Sequence, residues 1–118
     1  MNISIKSLHS ELGQDARDLI EEKLRALEKR LGQCADTALL ECEIEESLAA
    51  VRAGASYRAE GNLSVDGKVY RAEALNETLE GAVDKVRDEL ARELKKARGK
   101  ERSILKRGGR MVKGWLRF

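Results

Sequence analysis

The sequence contains no proline, a single histidine (His9), two cysteines and four aromatic residues among its 118 positions. Cys34 and Cys42 have no second pair beside them, and one histidine cannot complete a metal set. Neither a zinc spacing nor a thiol–histidine catalytic pair is therefore available. No Gly-rich phosphate loop, nucleophile elbow or paired-carboxylate motif occurs, which argues against an enzyme. No catalytic residue, metal ligand, cofactor or small-molecule substrate can be named. No apolar run approaches the roughly 20 residues of a membrane-spanning helix, and the opening MNISIKSLHSE is not a signal-peptide pattern. The expectation is a cytoplasmic protein whose thiols are reduced and serve packing beside or within strands. With so few aromatics the core must be built from Leu, Ile, Val and Ala, and this length suffices for one two-layer core without disulfide or metal.

Charge is abundant and unevenly placed. Residues 95–118 hold ten basic side chains and one acid, a net of +9, leaving 13 basic and 20 acidic side chains, net −7, in the first 94. A polyanion, either nucleic acid or an anionic membrane, is the partner such a C-terminal end suits. The chain divides on this basis into a domain over 1–98 and a basic, apolar-interleaved tail over 99–118.

Within the domain, Ile3 and Ile5 alternate with Ser4 and Lys6, the period of a strand with one buried face. From Gln14 to Leu31 the apolar positions Ala16, Leu19, Ile20, Leu24, Leu27 and Leu31 fall on one helical stripe, stopped by Gly32, with Gly13 or Gln14 as N-cap. Strands are expected over Thr37–Glu46 and Ser56–Val65. Asp66-Gly67 then supplies a two-residue hairpin turn into a strand over Lys68–Ala74. The stretch SLAAVRAGA has no clear assignment in its first half. A second helix, capped by Asn76 or Thr78, is expected over Thr78–Arg98 with Leu79, Ala82, Val83, Val86, Leu90, Leu94 and Ala97 inward. Strands with one polar face need cover on the other only. The fold class is therefore an α+β two-layer sandwich, β-α-β-β-β-α, with both helices on one face of a four-stranded sheet.

The sheet's polar face lacks the exposed aromatics that stack bases, so nucleic acid, if bound, must meet the helices. Glu41, Glu43 and Glu45 lie about 7 Å apart on one strand face, too far for a single ion without other ligands, and read as a solvated acidic face. On the helices, Arg25 and Lys29, and Arg92 and Lys96, stand four residues apart opposite the buried stripes, with Lys95 and Arg98 at the end of the row. That spacing can follow phosphates. Glu21 with Arg25 and Asp88 with Arg92 are equally i,i+4 pairs that merely support exposed helices. In the tail, Lys106, Arg107, Arg110, Lys113 and Trp115 could serve RNA by phosphate contact and base stacking. The segment could also lie on a membrane surface or pack onto an apolar patch, and Gly108-Gly109 is expected to break any long helix.

MNISIK, ARDLIEEKLRALEKRL, YRAEA and GAVDKVRDELARELKK, in this order and spacing over residues 1–98, resemble the ribosome hibernation-promoting factors, which include the ribosome-associated inhibitor called protein Y. The resemblance implies a non-enzymatic plug for the messenger and transfer RNA channel of the small ribosomal subunit, held by basic helical residues on ribosomal RNA, with no membrane role. It assigns RNA contacts to Lys29, Arg92 and Lys96. It also marks departures: Thr78-Leu79-Glu80 where many members have Asp-Met-Tyr, and Ala26 and Glu89 where they are often basic. The length leaves no room for the second, dimerising domain of long members.

Overall fold

The computed structural model describes residues 1–8, 11–46 and 56–97 in full and the backbone of 98–115. Strand β1 (Asn2–Leu8) leads to helix α1 (Gln14–Arg25), a short α2 (Glu28–Leu31) and a 3₁₀ helix (Gly32–Thr37). Strands β2 (Leu39–Glu45), β3 (Tyr57–Val65) and β4 (Lys68–Asn76) follow, and then helix α3 (Leu79–Trp115). The sheet order is β1-β2-β3-β4, with β1 parallel to β2 and the other pairs antiparallel. The expected two-layer α+β sandwich is therefore the observed one.

The alternation read along each strand decides what is buried. Leu40, Cys42 and Ile44 from β2, Ala59, Leu63 and Val65 from β3, and Ala72 from β4 meet Ile20, Leu24, Leu27 and Leu31 from the first helical segments. Ala82, Val83, Val86, Leu90 and Leu94 of α3 complete one aliphatic core. Cys42 sits in it, and burial, with a smaller contribution from the Glu43 charge, pushes its thiol up to about 12. Gly61 is a packing device. A Cβ there would stand 2.8 Å from Val86 Cγ1 and 3.2 Å from Leu90 Cδ1, so its absence lets α3 settle onto β3. At the hairpin, Asp66 and Gly67 both take positive φ, 52° and 76°, as a primed turn requires.

The helical segments depart from expectation in three places. The single helix over 14–31 is divided: the N–H of Leu27 bonds Leu24 O and that of Arg30 bonds Leu27 O, which tightens the turn between α1 and α2. Gly32 then adopts φ 56°, and a 3₁₀ helix takes up Thr37, the residue that the alternation alone would place at the start of β2. At the start of α1, Gly13 occupies the cap position without a side-chain bond. Gln14 Nε2 donates instead to Asp18 Oδ1 at 2.8 Å. The third correction is the largest. α3 does not end at Arg98 and is not broken at Gly108-Gly109; its 37 residues run on to Trp115. Two glycines at about 1 kcal/mol each are outweighed by flanking Lys, Arg, Leu and Met, all good helix formers, with no proline to interrupt. His9 and SLAAVRAGA lie outside the described residues.

Candidate nucleic-acid interface

The start of α3 is organised by two side chains. Asn76 Oδ1 accepts the Thr78 N–H at 3.2 Å, and Thr78 Oγ1 accepts the Gly81 N–H at 3.0 Å, so Thr78 is the N-cap and Asn76 shapes the turn before it. The Asn76 amide fills the space a side chain at position 81 would need. Across the helical layer, Lys23 Nζ meets Asp84 Oδ1 at 2.8 Å, with Lys23 half-buried between α1 and α3. Asp15, Ala16, Leu19 and Ile20 share a groove with residues 77–80. Both sets of contacts require that α1 and α3 run in the same direction.

A parallel pair sets the starts of α1 and α3 together and brings the end of α2 beside the middle of α3. At the N-terminal end stand exposed Asp15, Asp18, Glu22, Glu77 and Glu80. At the end of α2 and the middle of α3 stand exposed Lys29, Arg30, Arg92, Lys95 and Lys96, interspersed with Glu28, Asp88, Glu89 and Glu93. Asp15 and Glu80 in the first turns of α1 and α3, and Lys29 and Arg30 in the last turn of α2, also suit the macrodipoles of those helices.

The cations there differ in how free they are. Arg25 is engaged: its guanidinium donates to Glu21 at 2.8 Å, Glu28 at 2.5 Å and Met1 O at 3.2 Å, and the two carboxylates raise its pKa further. It braces the first strand and helix as much as it presents charge. Arg92 pairs with Glu89 at 2.9 Å rather than with Asp88, which Arg87 takes, and Lys96 lies 3.7 Å from Glu93. Both remain more than 60% exposed and can exchange these partners for phosphate. No hydrogen bond or ion pair to another described residue holds the side chains of Lys29, Arg30 or Lys95. Sequence reasoning missed Arg30. Its signal was its position two turns after Lys23, the residue that bridges to α3.

The opposite layer is of different character. Glu43, Glu60 and Glu73 are register neighbours across the sheet. Arg58 binds Glu45 at 3.5 Å, Glu73 at 2.8 Å and Glu60, gathering three carboxylates around one guanidinium. The hydrogen bond from Arg58 holds the Glu73 carboxyl below its usual range, and Glu73, then Glu60, raise Arg58. Arg98, Lys106, Arg107, Arg110, Lys113 and Trp115 stand on the backbone of α3 beyond the residues whose side chains are described.

A family profile described as Sigma 54 modulation protein / S30EA ribosomal protein matches residues 3–102. The ribosome hibernation promoting factor of Pseudomonas putida is 28% identical over 105 residues, covering 89% of this chain and 94% of that protein. Among solved structures, the N-terminal domain of Thermus thermophilus Protein Y superimposes with a TM-score of 0.67 at 22% identity, over 81% of this chain and 98% of that one. A ribosomal subunit interface protein from Coxiella burnetii gives 0.66 at 19%, over 84% and 99%.

Proposed function

Because the chain belongs to the Sigma 54 modulation protein / S30EA ribosomal protein family, we propose that it is a ribosome-binding factor that idles translation by occupying the messenger and transfer RNA channel of the small subunit. The observation that carries this reading is the exposed row of Lys29 and Arg30 at the end of α2 beside Arg92, Lys95 and Lys96 in the middle of the parallel α3, with an acidic sheet on the far side. Such a body meets ribosomal RNA helices-first and is turned away sheet-first, because phosphate is attracted to one face and repelled by the other. Arg25 contributes from the flank. Arg98, Lys106, Arg107, Arg110, Lys113 and Trp115, on the continuation of α3, extend the cationic track, with residues 99–118 acting as an arm of the 1–98 domain. Similarity to the ribosome hibernation promoting factor of Pseudomonas putida supports the hibernation reading, and a ribosomal partner implies action in the cytoplasm.

No group transfer is needed for this task. The domain supplies shape and fixed positive charge, and occupancy alone excludes messenger and transfer RNA. Co-sedimentation with purified small subunits, repeated from low to high salt, tests it together with translation of a defined messenger in vitro. The expected result is binding that falls steeply with salt and translation that falls as occupancy rises. Absence of binding at low salt, or binding unchanged across the salt series, contradicts the reading.

A further inference from the structure

The acidic end of the helical layer is also the site of a groove of about 570 Å³. That lies within the roughly 300–1,000 Å³ typical of ligand sites. Leu19, Tyr57 and Leu79 give it an apolar floor, and Asp15, Glu77 and Glu80 stand around it. Lys23, also on its wall, is neutralised by Asp84. An apolar floor with an acidic rim calls for a segment that is apolar and basic at once. The C-terminal part of this chain is such a segment. At about 100° per residue, Ile104, Leu105, Met111, Val112 and Trp115 fall on one face of the continuing helix, with Arg107 and then Arg110 along one side of it.

The segment cannot reach the groove of its own domain. The groove lies at the first turn of α3 and Trp115 at the last, about 55 Å away for 37 helical residues at 1.5 Å each. We propose that residues 104–115 dock in the Leu19–Tyr57–Leu79 groove of a second copy of this chain. Trp115 and Met111 are the apolar anchors, and the flanking bases lie against Asp15, Glu77 and Glu80. Interface centres are enriched in Trp and Met, with charged groups at the polar rim. Reciprocal docking closes a two-fold dimer, and one-way docking gives a head-to-tail chain. Reciprocal docking would bring the middles of the two α3 helices together at the two-fold axis, setting exposed Arg92, Lys95 and Lys96 of both copies against one another, so the head-to-tail arrangement is the expected one. Where ribosomal RNA takes the arm, the two uses exclude each other. The association itself does not depend on the ribosomal reading and is tested without ribosomes.

Sedimentation velocity of the nucleic-acid-free full chain over a concentration series, at low and high salt, reads it directly. The expected result is concentration-dependent association that weakens with salt. It should fall at least tenfold in Glu77→Lys/Glu80→Lys, and equally in Arg107→Glu/Arg110→Glu. Mixing the two variants should restore association, since each mends the other's charge. Circular dichroism of each variant confirms that the exposed substitutions leave the fold intact. A chain that stays monomeric, association indifferent to either pair of substitutions, failure of the mixed variants to associate, or association only when RNA or anionic vesicles are added would overturn the proposal.

Discussion

At the scale of single residues, the fold turns on what is small or charged at a few sites. Replacing Gly61 by Ala would ordinarily help a strand, since glycine packs nothing there. Here the added methyl meets stiff, β-branched Val86 at 2.8 Å. Overpacking wins, and Gly61→Ala is expected to lose about 1–3 kcal/mol in urea unfolding. Arg58 makes a different kind of claim. Glu73, its carboxyl held low by Arg58, contributes stability above its unfolded pKa of about 4.3 and loses it as pH falls through the depressed folded value. Arg58→Ala leaves Glu45, Glu60 and Glu73 facing one another. It is expected to cost roughly 0.5–3 kcal/mol at pH 7, shrinking as the solution is acidified below about pH 4. A penalty that does not change with pH would refute the electrostatic account. The alternation of Glu41, Glu43 and Glu45 made an acidic sheet face legible in the sequence. The Arg58 cluster was not legible, because register across β2, β3 and β4 decides which carboxylates meet.

Among the elements, caps and breakers explain both what could be read and what could not. The strands, the hairpin and the two apolar stripes follow from periods of 2 and 3.6, and they appear where those periods placed them. The division of the first helix at Ala26–Leu27 follows no breaker residue and could not be read from pattern. The length of α3 escapes a sequence reading that sets the local glycine penalty against too short a run of helix formers. Two measurements address these points. Thr78→Ala removes the acceptor for the Gly81 N–H and should cost about 1 kcal/mol, while Thr78→Ser should keep most of it. Gly108→Ala with Gly109→Ala should raise the helical signal at 222 nm and stabilise the end of α3 by about 1 kcal/mol per site. No gain in helicity would mean that these glycines do not sit in a helix interior.

For the whole molecule, the decisive feature is the gathering of exposed cations at the end of α2 and the middle of α3. The sequence revealed the basic residues and their outward phase, but not that α1 and α3 run in parallel. It is this direction that gathers Lys29, Arg30, Arg92, Lys95 and Lys96 and sends Asp15, Glu77 and Glu80 to the other end. Arg30 joins the cluster for that reason, and Arg25 is tied to Glu21, Glu28 and Met1 for local ones. The most direct test of the account compares the salt dependence of small-subunit binding for the native chain with that of Lys29→Glu/Arg92→Glu/Lys96→Glu. All three sites are exposed, so the fold should survive. The account predicts weaker binding by the variant and a slope of log K against log salt shallower by about 0.7–0.9 for each phosphate that is no longer neutralised. Equal affinity and equal slope for the two proteins would contradict it.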